Sequence, residues 1–247
     1  MGSEKRGEHI IRLRGIRFSY PGRAPVLDGL DFDLCRGERL GLLAPNGSGK
    51  TTLFHLIMGL HEPQAGSVEI FGRPAVSEKD FREVRLRIGL LFQDADDQLF
   101  SPTVLEDVAF GPLNMGKSKA EAVQTARKIL SFLGLSDFED RVTFKLSGGE
   151  KKLVSLATVL AMEPEVLLLD EPMNGLDSAT KERLKQVLKD LSLSYVIISH
   201  DIDFLSETTD TVYTMAKGRI ATDHQVRIHR HDHAHQLGHL PHRHEKK

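Results

Sequence analysis

Alternating apolar and polar positions shape the opening of the chain. "IIRLRGIRFSY" and "LDFDLC" have the two-residue period of strands with one buried face, and "YPGRAP" between them carries turn residues. "RLGLLA" is a short apolar run entering a glycine-rich loop. "GKTTLFHLIMGL" then changes to helical spacing and ends near Gly59 and Pro63. "GSVEIFG" predicts a strand bounded by glycines, and "IGLLFQ" a buried one. "SKAEAVQTARKILSFLGL" predicts the clearest amphipathic helix, opened by Ser118 and Glu121 at capping-box spacing and followed by Gly134. A second helix is expected from about Gly148 to Met162. After it come a buried strand, "VLLLD", a charged helix from about Ser178 to Leu191, a buried strand, "YVIIS", and a terminal hairpin in "TVYTMAKGRIATD".

Strands alternating with helices indicate an α/β protein with a mainly parallel sheet covered on both faces. From His224 the composition changes abruptly. "HQVRIHRHDHAHQLGHLPHRHEKK" has no buried-face periodicity and reads as a mobile or partner-dependent tail. The expected organisation is one domain over 8–223 and a tail over 224–247, with no internal repeat.

Composition narrows the function classes. The 247 residues suffice for one large domain with a substantial core. A net charge of −2, with histidine neutral, gives no global attraction to nucleic acid or an anionic membrane. Cys35 stands alone, which excludes an intramolecular disulfide framework and fits a reducing compartment. "MGSEKRGEHIIRLRG" lacks the apolar core of a signal peptide, and no window reaches the ~18 apolar residues of a membrane span. A membrane role would therefore need a separate partner.

"LLAPNGSGKTT" nearly matches the phosphate-binding pattern G-x-x-x-x-G-K-[ST], with Ala44 in place of the first glycine and Gly49, Lys50 and Thr51 intact. In such a loop successive backbone N–H groups wrap phosphates, and the following helix directs its positive dipole end at them. Lys50 would neutralise the β- and γ-phosphates and Thr51 would place its hydroxyl on Mg²⁺. Gly47 and Gly49 would let the main chain approach closely. Ala44 is inexpensive if that position needs no positive φ. Read alone, the segment is equally a flexible strand–helix turn with a stray lysine. Further on, "VLLLDE" ends a buried strand with Asp170, placed to hold the Mg²⁺ shell, and Glu171, able to polarise a water for attack on the γ-phosphate. In "KLSGGEKKLVSLATVL", Ser147 and Glu150 make another capping box, so "SGG" opens a helix with exposed N–H groups. By itself that is a well-capped helix.

The order of these motifs resembles the nucleotide-binding domain of ATP-binding-cassette (ABC) transporters over nearly all of residues 10–222. The resemblance implies a P-loop NTPase fold: a RecA-like, mainly parallel core, an N-terminal antiparallel β region and a helical subdomain at about 94–160. It implies adenine stacking on Tyr20, and phosphates on Pro45, Asn46, Gly47, Ser48, Gly49, Lys50, Thr51 and Thr52. It gives Mg²⁺ ligands at Thr51, Gln93 and Asp170, and catalytic roles to Lys50, Gln93, Glu171 and His200. Ser147, Gly148 and Gly149 of "LSGGE" match the signature, and Asp177 of "NGLD" the D-loop. In this family two such domains sandwich two ATPs head to tail, each signature facing the other's P-loop. Ala44 and Glu150 depart from the family pattern, and Glu150 is expected to weaken ATP closure by adding a negative charge near a phosphate.

"FQDADDQLFSPTVLEDVAFGPLNMG", residues 92–116, more closely resembles the ATPase subunits of energy-coupling-factor transporters, particularly the cobalt/nickel type. That implies a second ATPase subunit, homodimeric if no paralogue is present, a transmembrane coupling protein and a substrate-binding membrane protein. The location implied is the cytoplasmic face of a prokaryotic membrane, reached through those partners. A generic helical insertion with exposed Asp94, Asp96 and Asp97 is the plainer reading. In "HRHDHAH", His229, His231, His233 and His235 fall at every second position, and an extended chain would project them to one side. Imidazole suits Ni²⁺, Co²⁺ and Zn²⁺. A solubilising tail, a pH-responsive segment or an expression tag would share this composition. Two other functions stay open: a soluble ABC ATPase of translation or repair, and a regulatory module that binds ATP without hydrolysing it. A vitamin is the competing cargo.

Overall fold

The computed structural model describes residues 7–226. Its first half runs β1 (His9–Phe18), β2 (Leu27–Cys35), β3 (Arg39–Leu43), α1 (Lys50–Ile57), β4 (Ala65–Ile70), β5 (Arg73–Pro74), α2 (Glu78–Arg87), β6 (Ile88–Leu91) and α3 (Val104–Asn114). The second half runs α4 (Lys119–Phe132), α5 (Gly148–Leu160), β7 (Val166–Asp170), α6 (Ser178–Asp190), β8 (Ser194–Ser199), α7 (Ile202–Thr208), β9 (Thr211–Ala216) and β10 (Arg219–Val226).

The alternation in the sequence resolves into two sheets. β1 pairs antiparallel with β2 and β4, giving the order β2-β1-β4-β5. The other sheet has the order β10-β9-β3-β8-β7-β6, parallel except for the β9–β10 hairpin. β10 continues through Val226, past the composition change at His224.

Strand periodicity divides the central strands between two cores. Val166 and Leu168 of β7, with Val196 and Ile198 of β8, join a cluster with α1 and the antiparallel sheet. Their neighbours Leu167, Leu169, Tyr195 and Ile197 join a second cluster with α5, α6 and α7. That is the two-residue period of a strand covered on both faces. Each such aliphatic side chain contributes about 1.5–3 kcal/mol when fully buried. The second cluster extends through Val104 and Val108 of α3 and Ala122, Ala126 and Leu130 of α4, so the helical region shares a core with the sheet. β6 meets α5 through Gly89, where an added Cβ would stand 2.2 Å from Val159 Cγ1.

Helix starts follow local chemistry. Capping boxes open α2 (Ser77, Asp80), α3 (Thr103, Glu106), α4 (Ser118, Glu121) and α5 (Ser147, Glu150). α2 and α7 are absent from the periodicity reading. α2 buries only Phe81 and Val84 in ten residues, and α7 has only seven residues. Both give too short an apolar stripe for periodicity to register.

Candidate functional site

The chain leaves β3 at Leu43 and crosses Ala44 to Gly49 before α1 begins. Ala44 does not adopt a positive φ, is 1% exposed and places its methyl in the first core. Its N–H donates to the Ser199 carbonyl at 3.4 Å, continuing the pairing of β3 with β8. The missing glycine therefore costs the backbone nothing. Gly47 (φ 76°) and Gly49 (φ 99°) do lie in the left-handed region. At Gly49 an added Cβ would also meet Leu27 Cδ2 at 2.7 Å and the Val26 carbonyl at 3.0 Å. The antiparallel sheet thus presses against the loop and sets its shape.

Alone among the described α-helices, α1 begins without a side-chain cap. Its first-turn N–H groups are left for an external acceptor, the arrangement that favours anions. Ser48 Oγ, within this loop, is buried and has no hydrogen-bond partner.

At the ends of β7 and β8 the loop meets a chain of ionic contacts. Lys50 Nζ donates to Glu171 Oε1 at 2.6 Å and to Asn46 Oδ1 at 3.2 Å. His200 Nδ1 lies 3.0 Å from the other Glu171 oxygen. Glu171 is 2% exposed and has φ 46°, a left-handed conformation costing a bulky residue about 1–3 kcal/mol. Its N–H donates to the Ile198 carbonyl at 3.0 Å, which ties the strained residue to β8. Beside it, Thr51 Oγ1 donates to Asp170 Oδ2 at 2.7 Å. Burial pushes the Asp170 carboxyl up from the usual carboxylate value, against the Thr51 hydrogen bond and the Lys50 charge.

Thr51, Gln93 and Asp170 line one cavity of about 750 Å³, with Lys152, Gly148, Asn174 and Gly175 also on its wall. Asp170 Oδ1 is buried without a hydrogen-bond partner. An orphaned carboxylate oxygen near a hydroxyl and an amide fits a hard cation such as Mg²⁺, which takes oxygen ligands.

Tyr20 stands beside the loop: its hydroxyl is 3.2 Å from Thr52 Oγ1, and its ring packs edge-on against Phe18 and His61. Ser147 to Gly149 form the start of α5, with Ser147 Oγ donating to Glu150 at 2.8 Å. Gly149 lies against the first turn of α6, where Asp177 accepts from the Thr180 N–H at 3.0 Å. Gly148 reaches the cavity wall, yet among the described residues no hydrogen bond or ion pair joins Ser147, Gly148 or Gly149 to Lys50 or Thr51. The expected effect of Glu150 changes in one respect. Arg141 Nη1 donates to its carboxylate at 3.0 Å, so the extra negative charge has a cation beside it. The Ser147 hydrogen bonds and the Arg141 charge hold this carboxyl below the usual value.

Lys152 and Gln98 escaped the sequence reading. Lys152 donates to the Gln93 carbonyl at 2.6 Å and the Phe92 carbonyl at 3.1 Å. Burial lowers its pKa, opposed by the charges of Asp170 and Asp94. Gln98 Nε2 donates to the Ser155 carbonyl and to Thr158 Oγ1, both at 2.8 Å. The available signal was a lysine among the mainly apolar residues of α5. His229, His231, His233 and His235 lie outside the described residues. Among those described, no group of three or more His, Cys, Asp and Glu side chains could hold a metal ion, and no helix is long and apolar enough to cross a membrane.

Comparisons with known proteins place the chain among relatives of known family. The family model described as ABC transporter matches residues 27–174. A provisionally named ABC transporter ATP-binding protein of Nitratidesulfovibrio vulgaris is 52% identical over 239 residues, covering 96% of this chain and 87% of that one. The energy-coupling factor transporter ATP-binding protein EcfA of Methanocaldococcus jannaschii is 43% identical over 216 residues, covering 86% and 77%. The solved structure of cbiO1 from Clostridium perfringens, part of the ABC transporter complex cbiONQ, superposes with a TM-score of 0.79 at 35% identity, covering 89% of each chain. The chain belongs to the ABC transporter family, as an ATP-binding and ATP-hydrolysing subunit with the P-loop NTPase fold.

Proposed function

We propose that this ATPase powers an energy-coupling-factor importer for a cobalt or nickel cation, on the cytoplasmic face of a prokaryotic membrane. Residues 8–226 are its cassette, since β10 carries the sheet three residues past the expected boundary at 223, about 94–160 the helical subdomain, and 227–247 an appended tail. The observation that carries the catalytic part is the run of contacts Asn46–Lys50–Glu171–His200, with Lys50 and Glu171 buried, beside Thr51–Asp170.

These contacts support the roles of Lys50, Thr51, Asp170, Glu171 and His200, and the family resemblance supplies the others. Residues 45–52 take the phosphates, Tyr20 stacks on the adenine, and Lys50 exchanges Glu171 for the β- and γ-phosphates. Thr51, Gln93 and Asp170 would hold Mg²⁺. When bound, that ion neutralises charge on the phosphate oxygens. Glu171 takes the proton of the water that attacks the γ-phosphorus, and the terminal phosphate leaves ADP. His200 contacts the γ-phosphate and couples it to closure. Ser147, Gly148, Gly149 and Asp177 complete the site of a second subunit, in a homodimer when no paralogue is present.

A membrane partner has a surface to meet. An apolar cavity of about 290 Å³ opens between the sheet and the helical region, lined by Met58, Leu60, Phe100, Phe110, Val159 and Met162. Phe100 and Phe110 are 67% and 45% exposed and pack edge to face at 4.7 Å. This face supports docking of a transmembrane coupling protein, which in turn moves a substrate-binding membrane protein. The similarity to EcfA and cbiO1 favours the energy-coupling-factor type. For the cargo, the support is the resemblance of residues 92–116 and the histidines of the tail, which would bind Ni²⁺, Co²⁺ or Zn²⁺.

The test is purification of the tagged chain from membranes, followed by uptake of radiolabelled cobalt and nickel by intact cells. The expected result is a multi-span partner and uptake lost on Glu171→Gln. Absence of any membrane partner would overturn the importer. Uptake of a vitamin in place of either metal would overturn the cargo.

A further inference from the structure

Lys152 is 4% exposed, on the second turn of the helix that opens with Ser147, Gly148 and Gly149. An ammonium has three N–H donors, and this one spends two on the carbonyls of Phe92 and Gln93, 60 and 59 residues away in the chain. Burying a charge where an apolar side chain would fill the same space costs stability. The same segment is held at two further points. Lys151 Nζ contacts Asp96 Oδ1 at 2.5 Å, and Gln98 spans from the Phe92 N–H, accepted at 3.2 Å, to Ser155 and Thr158 of α5. The Gln93 side chain itself is exposed and makes no hydrogen bond among the described residues. Its place on the cavity wall, with Thr51 and Asp170, is therefore set through its main chain.

We propose that Lys152 is a positioning residue, tying α5 to the Gln93 main chain and so fixing where the Gln93 amide stands at the Mg²⁺ end of the cavity. The inference rests on the reading of Gln93 as a Mg²⁺ ligand. Because the same helix carries the signature segment, one ammonium joins the element offered to the partner's nucleotide to the residue that serves this chain's own. Arginine would preserve the tie with its own N–H donors, whereas methionine keeps the stem and loses every donor.

Full-length wild type, Lys152→Met, Lys152→Arg, Gln93→Ala and the Lys152→Met/Gln93→Ala double variant separate the possibilities. Hydrolysis is measured against free Mg²⁺. Binding of Mn²⁺ with ATP is followed by electron paramagnetic resonance, a readout independent of turnover. Loss of a charge-assisted hydrogen bond predicts for Lys152→Met a kcat about tenfold lower and metal binding weaker by about fivefold, with KM for ATP changed less than about twofold. Lys152→Arg recovers most of both, and the double variant is no worse than the poorer single one. Unchanged Mn²⁺ binding and Mg²⁺ dependence in Lys152→Met, whatever its melting temperature, would overturn the proposal. If Gln93→Ala also leaves metal binding unchanged, the Mg²⁺ reading of Gln93 fails, and the proposal with it. If only Lys152→Met is silent, the positioning role alone fails. Should Lys152→Met not fold, Lys152→Leu, which also lacks any donor, is judged by the same two measurements.

Discussion

Lys50 and Glu171, 121 residues apart in the chain, share a buried ion pair 2.6 Å long. His200 lies 3.0 Å from the second carboxylate oxygen, so both oxygens of the proposed base are engaged. A phosphate that recruits Lys50 frees one of them. Nucleotide binding and preparation of the base are then a single event, reached by moving one lysine.

Glu171→Gln should therefore retain ATP binding and lower kcat by about 10²–10⁴-fold, the scale of a lost general base. Single-turnover hydrolysis beside equilibrium binding of a fluorescent ATP analogue measures both. A turnover near that of wild type would rule out the assignment.

Ala44→Gly restores the family pattern but should not improve the enzyme. Ala44 has no positive φ to relieve, and its buried methyl would be lost, so the variant should be less stable by about 1 kcal/mol with ATP affinity unchanged. Gly49→Ala should fare worse, since φ 99° and contact with Leu27 and Val26 oppose any Cβ. Denaturant unfolding and ATP binding on both proteins test the contrast. Tighter binding by Ala44→Gly would contradict it.

Arg141 offsets the charge of Glu150 at the start of α5. Arg141→Ala is expected to weaken ATP-driven dimerisation about two- to fivefold, and to have little effect in a Glu150→Gln background, where no charge needs balancing. Sedimentation of the Glu171→Gln protein with ATP, carrying each change, reads this directly. Equal effects in the two backgrounds would show that Arg141 acts elsewhere.

Deleting residues 227–247 should abolish Ni²⁺ and Co²⁺ binding while leaving ATP hydrolysis within about twofold, because imidazole is a favoured ligand of such ions and this segment is histidine-rich. No described residues form a group able to replace them. Calorimetry on the full and shortened chains decides it. Ion binding that survives the deletion would remove the tail as support for the cargo.

Much of the fold is written in local signals. β1, β2, β7 and β8 follow a two-residue period or a short apolar run, and both α4 and α5 start at capping pairs visible as Ser-x-x-Glu. α2 begins with the same device, but uses Asp80 where the usual partner is glutamate or glutamine, and its two buried anchors give little periodicity. α3 carries Pro112 inside its span, which argues against a helix when read from sequence alone.

The phosphate-loop spacing, the carboxylates at the end of β7 and the glycines that permit left-handed turns can be read along the chain, because they depend on residues close together in it. That Ala44 needs no glycine, that Lys50 rests on Glu171, that Arg141 balances Glu150 and that Lys152 holds the Gln93 segment emerges from the fold. Whether a buried charge is satisfied depends on which distant group the fold brings within about 3 Å, and no spacing along the chain encodes that distance.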